Sequence, residues 1–333
     1  MSANQGTAID SSNIAATVPK ALARQPIVWW SATGIVFVAL QAYILLLWLS
    51  SPDFSTVGSG IDVVPAQVKS SAWISQFNAL ALFLGCVIYC VRKSWREERL
   101  TWDALLVIGG LSVCWLDTAI NYFHPIVLYN AYMFNLGSWS SHIPGWASTA
   151  KSTPEPLLFV VGLYGWWFLL FSMAFCAIAH RLKRRWPQVG LGGLILAGIA
   201  ALSVLDAVLE LAFVFSGLYV YAAVIPDWTL WLGTAHQFPL YGALILGVLC
   251  TVVAMLRYDA GERQYSFVER GADILPVSVK MRTLIRVLAI IGFMNAVFVT
   301  AVAVHWWIGL YAEQSTFIVP SYLSSGSIGV KIP

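Results

Sequence analysis

Asp206 and Glu210 stand four residues apart in an otherwise apolar stretch, SVLDAVLELAF. On an α-helix that spacing places both side chains on one face. Two carboxylates so close in a low-dielectric setting cannot both ionise easily, so one is expected to hold a proton near neutral pH beside a partner that does not. A protonated acid next to a carboxylate is what general acid–base chemistry requires. The competing reading is an acid pair satisfied by Asn, Tyr or Trp donors that merely joins helices. A second polar group begins at Asp117, with Asn121 one turn later on the same predicted helical face and His124 at its rim. A loop rich in aromatic residues, YNAYMFNLGSWSSHIPGW, follows and leads to Pro154-Glu155-Pro156. Farther on, His236 and Gln237 precede another apolar run.

Asp206, Glu210, Asp117 and His236 are the candidates for moving protons. Asn121, His124, Tyr129, Asn130, Trp139 and Trp146 are candidate substrate contacts on the first polar stretch, with Glu155 beyond them. Tyr219 and Gln237 are the equivalents on the later one. His305, a lone histidine before Trp306 and Trp307, reads as an interfacial residue. Glu155 in isolation could equally be a favourable charge at a helix start.

These groups need a scaffold, and composition names it. The 333-residue chain is 59% hydrophobic and only 11% charged, against about 25% charged in soluble domains. Its mean hydropathy is +0.75. The predicted fold is all-α: a polytopic membrane helix bundle in which seven stretches approach the roughly 20 residues that cross a bilayer. They fall near 27–49, 74–91, 104–123, 157–180, 190–212, 236–256 and 284–310. Of the 19 basic residues, 16 lie before the first span or in the alternate connections after the second, fourth and sixth. By the positive-inside rule the N-terminus is cytoplasmic and the C-terminus outside, in a multi-pass protein of the cell membrane. Residues 1–25 are expected to be a disordered cytoplasmic tail, 26–311 a single transmembrane domain with aromatic outer loops at 124–155 and 213–235, and 312–333 an outer tail.

On this topology all the polar candidates fall at the outer ends of their helices. An acid at membrane depth costs about 2.5–3.5 kcal/mol on insertion scales, so such a cluster marks a site. Open to the outer leaflet of the lipid bilayer or to the outer aqueous face and walled by Trp and Tyr, it suits an apolar substrate with a few oxygen atoms.

Other chemistries lack their motifs. There is no paired-histidine spacing for a metal, no phosphate-binding or dinucleotide loop, no GxSxG elbow and no lysine in the last span for a retinal Schiff base. The five cysteines lie in or at the ends of spans and read as small buried hydrophobes. The basic loops are topology signals rather than a nucleic-acid surface. Neither a metal nor a cofactor is expected. Acid–base catalysis or proton-coupled transport remains.

Asp117 with Asn121, the YNAYMFNLGSW stretch, IPGW at 143–146, PEPLL at 154–158, the Asp206/Glu210 helix leading into GLYVY at 217–221, and Gln237-Phe238-Pro239 together resemble the AveC-like spirocyclase family of actinobacterial membrane proteins. The resemblance runs from about residue 28 to about residue 260. It implies a cofactor-independent cyclisation of a dihydroxy-ketone polyketide to a spiroketal, in one member associated with a dehydration. It does not transfer the substrate. The alternative is a proton-coupled transporter or lipid-binding membrane protein using the same acids; a cavity that continues to the cytoplasmic face would mark it.

Overall fold

The computed structural model describes residues 23–149, 153–263 and 265–323. The expected N-terminal tail therefore falls almost wholly outside the described residues, as does the end of the C-terminal one. Seven helices are long and apolar enough to cross a membrane: α1 Pro26–Leu49, α2 Ala66–Arg96, α3 Trp102–Val113 with its extension, α4 Leu157–Arg185, α5 Leu191–Phe215, α6 Leu240–Arg263 and α7 Val279–Gly309. The connections alternate between two ends. One end carries the short basic links and the N-terminus of α1; the other carries the long aromatic segments.

Helices α3 and α4 are the most enclosed spans, while α1, α2 and α5 turn most of their surface outward. Glycines set several of the crossings, since small residues let helix backbones approach closely. A side chain at Gly34 would strike the backbone of Leu288, and one at Gly292 that of Trp30, so α1 and α7 lie backbone to backbone. Gly247 of α6 rests against Ser203, one turn below Asp206 on α5. That contact fixes which face of α5 looks into the bundle.

Two departures from the expected helices bear on the site. The third span is not a continuous α-helix: after Val113 it tightens into two 3₁₀ turns, Cys114–Leu116 and Thr118–Asn121, with Asp117 between them. Short 3₁₀ stretches within a helix often mark functional positions. The carbonyls of Trp115 and Ala119 accept from the indoles of Trp139 and Trp306, both at 2.7 Å. Asn121 closes the segment, its Oδ1 accepting from the N–H groups of Ile126 and Val127 while its Nδ2 donates to Val127 O. The sixth span starts later than expected, because 238–239 is extended and the helix begins at Leu240.

The aromatic segments are more ordered than loops. Strand β1, Val127–Tyr129, pairs antiparallel with β2, Tyr219–Tyr221; β3, Ala223–Val224, pairs with β6, Glu313–Gln314; and β4, Thr229–Leu230, pairs with β5, Phe238–Pro239. Val319, Tyr322 and Leu323 pack with Val64, Leu128 and Val220 in a small second core. Residues 312–323 are thus part of this cap. Gly137, at φ +82°, turns the GSW stretch where a side chain would strike the Asp53 carbonyl. The cap rests on the open ends of α3–α7.

Candidate functional site

Beneath the β1/β2 pair lies a cavity of about 110 Å³. Asp117 and Ile120 reach it from the 3₁₀ turns, Tyr164 and Trp167 from α4, Asp206 and Glu210 from α5, Leu246 from α6 and His305 from α7. Tyr129 and Tyr219, paired across the two strands, roof it together with Tyr221. The helices thus bring the acids to one space, and the strand pair brings phenols down onto them.

Two phenols serve each of two acids. Tyr129 donates to Asp117 Oδ2 at 2.9 Å and Tyr164 to Oδ1 at 2.7 Å. Tyr219 donates to Glu210 Oε1 at 3.2 Å, while the Tyr221 hydroxyl stands 3.0 Å from both Glu210 oxygens. Tyr129 and Tyr219 meet edge to face at 5.6 Å, which joins the two groups across the roof. Burial, reinforced by the acids they face, pushes the phenols of Tyr129, Tyr219 and Tyr221 well above the ordinary tyrosine range. They remain donors at any physiological pH.

Each phenol-held acid has a second acid beside it. Glu155 is buried and hydrogen-bonds to Asp117. Burial first, and then the charge of Asp117, raises its carboxyl well above the usual range, while its Oε1 has no hydrogen-bond partner among the described residues. Asp206 is buried next to Glu210, and its Oδ2 is likewise without a partner among the described residues. Among the described residues no Lys or Arg pairs with any of these four acids. Glu155 itself does not line the cavity; it stands behind Asp117.

The other candidates are placed elsewhere. His236 is exposed and stacks on Phe215 at 4.6 Å, so it faces away from the acids it was expected to serve. Asn121 does not share a cavity face with Asp117, because the 3₁₀ turns rotate it toward the 126–127 backbone. His124 packs against Gly309, outside the cavity. Asn130 donates to Gly217 O and Gln237 to Tyr221 O and Ser315, fastening β2. Trp139 is a buried partner of Trp48, and Trp146 packs on Tyr122 at the cap.

Three titratable cavity residues are not among the candidate site residues. His305, expected at the interface, is buried on α7 with Nδ1 2.9 Å from Ala301 O and lines the cavity. Tyr164 and Tyr221 hold Asp117 and Glu210. Tyr221 falls within the GLYVY block, alternating with Tyr219 on one strand face, a spacing that aims both rings to the same side.

All these residues lie between 117 and 305, and α1 and α2 contribute none to the cavity lining. No curated protein and no solved structure matches the chain. The family model described as spirocyclase AveC-like matches residues 97–324, which takes in every element that lines the cavity and most of the chain. The chain belongs to the AveC-like spirocyclase family.

Proposed function

We propose that the protein is a membrane-embedded, cofactor-independent cyclase of the spirocyclase type. It acts on an apolar, oxygenated dihydroxy-ketone polyketide or related lipid-like molecule, and the Asp206/Glu210 pair moves the protons. The carrying observation is that this pair lines a cavity in which a carboxylate is already fixed by two phenols and its neighbour is left with an unpartnered oxygen. Donors committed to Glu210 favour its charged form, and one carboxylate in turn favours a protonated neighbour.

The chemistry fits that division. One substrate hydroxyl adds to the ketone, its proton passing to the Glu210 carboxylate while Asp206 protonates the carbonyl oxygen; return of the proton from Glu210 to Asp206 leaves a hemiketal and the starting protonation states. Asp206 protonates the hemiketal hydroxyl, which leaves as water and generates an oxocarbenium ion. The Glu210 carboxylate stabilises that cation and takes the proton of the second hydroxyl as it closes the spiro centre, and transfer of this proton to Asp206 restores the starting state. The Asp117–Tyr129–Tyr164 group orients substrate oxygens on the opposite wall, and Trp167 and Phe159 supply apolar shape. A dehydration would draw on the same acid–base pair.

Two observations favour an enzyme over a proton-coupled transporter. The cavity shares no lining residue with the pocket at the basic end of the bundle. Between them the spans are tightly packed, with Gly109 against Met294 and Gly110 against the Tyr164 backbone and the Phe168 ring. Both observations support a site closed toward the basic end, which the positive-inside rule assigns to the cytoplasm of the cell. Reconstituted protein given dihydroxy-ketone polyketides should release one spiroketal stereoisomer faster than buffer does. Unchanged rates and isomer ratios across a panel, with pH-gradient-driven uptake into proteoliposomes instead, would replace the cyclase with a transporter.

A further inference from the structure

At the basic end, the close of α2, the start of α3, the close of α6 and the first turns of α7 enclose a second cavity of about 480 Å³. Its lining carries four cations, Lys93, Arg99, Arg257 and Arg286, against two carboxylates, Asp103 and Glu97. Asp103 accepts from Lys93 Nζ and from Arg257 Nε, both at 2.7 Å; Glu97 pairs with Arg99 at 3.0 Å; and Arg286 Nε donates to Glu269 at 2.7 Å. With Glu269 included, the cluster retains one uncompensated positive charge.

The donors are also unspent. A guanidinium offers five N–H groups. Arg257 commits its Nε to Asp103 and hydrogen-bonds to Cys176, and Arg286 commits its Nε to Glu269 with its guanidinium over the Tyr265 ring, so each of these cavity-lining forks keeps N–H groups to spare. Trp102, in the first turn of α3, lines the same space with an indole N–H that is buried and without a partner among the described residues. The α3 N-terminus adds the positive end of its dipole. Planar forks, a spare indole donor and a net single positive charge are complementary to a phosphate oxyanion, and Arg is suited to bind it bidentately. The pocket lies where the basic ends of the spans meet the interface, the depth of lipid phosphates.

We propose that this cavity is a binding site for a phosphate-bearing anion, the phosphodiester headgroup of an anionic lipid or a free phosphate ester, held by the Arg257 and Arg286 forks and the Trp102 indole. It shares no residue with the acid cavity and is independent of the cyclase reading.

The test uses the full chain, purified in detergent and in nanodiscs. Native mass spectrometry and thermal shift would compare phosphatidylglycerol with phosphatidylcholine, and titrate inorganic phosphate and glycerol phosphate in detergent. Preference for phosphatidylglycerol with no response to the soluble esters identifies a lipid headgroup; response to the esters without lipid preference identifies a free anion. Arg257→Lys with Arg286→Lys keeps the charges and the pairs to Asp103 and Glu269 but removes the forks, and should weaken binding about tenfold or more. Should that variant not fold, Trp102→Phe, which removes the unpartnered N–H together with part of the ring but no charge, decides by an expected fall of about threefold to tenfold. No phosphatidylglycerol preference together with no ester binding overturns the site, as does unchanged affinity in a folded variant.

Discussion

Asp103 and Asp206 are both buried aspartates inside spans of one bundle, and they are treated in opposite ways. Asp103 receives Lys93, Arg257 and the Tyr89 hydroxyl at 2.7–2.8 Å, so its charge is neutralised on every side. Asp206 has a second acid for a neighbour and an oxygen with no partner among the described residues. A buried charge that is paired and hydrogen-bonded is a fastening; one left beside another acid is, on the function proposed above, the group that handles the proton. The same split runs through the other acids, since Glu269 has Arg286 whereas Asp117, Glu155 and Glu210 have only phenols or one another. Cations gather at one end of the molecule and uncompensated carboxyls at the other.

The sharpest way to break this comparison is to replace the acids at both ends by their amides. Asp206→Asn and Glu210→Gln retain size and much of the hydrogen bonding, and should fold normally while losing about 10²- to 10⁴-fold in cyclisation rate. Turnover and melting temperature measured on the same detergent preparations check this. Asp103→Asn should do the reverse. It removes the shared partner of Lys93 and Arg257, which are only partly buried, a loss of about 1–3 kcal/mol in stability, while the molecules that remain folded turn over at the wild-type rate. Wild-type turnover in both outer amides, or an Asp103→Asn protein as stable as its parent, would abolish the distinction.

A smaller effect sharpens it on the outer side. Tyr221→Phe removes the hydroxyl that sits 3.0 Å from both Glu210 oxygens, and hydrogen bonds to charged groups are worth about 1.5–3 kcal/mol. The rate should fall by about 10- to 100-fold. Tyr164→Phe, which acts on Asp117 across the cavity, should instead raise KM more than it lowers kcat. Equal effects from both phenols would mean that the two walls share one role.

How much of this was legible in the chain follows from how local each signal is. Seven apolar runs and the alternation of basic links depend only on sequence neighbours, and all seven helices are present. Asp206 and Glu210 share a face because α5 is regular across them. Asp117 and Asn121 carry the same spacing, yet the helix tightens between them because Trp139 and Trp306 draw out carbonyls from distant segments. No periodicity contains those indoles. Glu155 meets Asp117 only after the chain has looped through 37 intervening residues, and the tyrosines that hold the acids are chosen by strand pairing and helix packing. His236 and His305 exchange their expected places for a related reason: a histidine's neighbours in sequence do not reveal which side the bundle covers.

Glu155 offers the finest test, because its role is to stand behind Asp117 rather than in the cavity. Burial and the Asp117 charge raise its carboxyl well above the ordinary 4.5. Below about pH 4.5 the group is protonated whether the chain is folded or not and adds no pH dependence. As pH rises from there toward the raised native value, the unfolded chain gives up its proton while the native one keeps it, so this group makes the protein progressively less stable across that window. Glu155→Gln keeps a donor for Asp117 and removes the titration. The melting temperature of the variant minus that of the wild type should therefore be flat below about pH 4.5 and grow steadily toward alkaline pH, by roughly 2–4 °C for each kcal/mol relieved. Paired melts from about pH 4 to pH 8.5 read it directly. A difference that does not change with pH would mean that Glu155 ionises as an ordinary surface carboxylate, and Asp117 would then have to hold any shared proton without it.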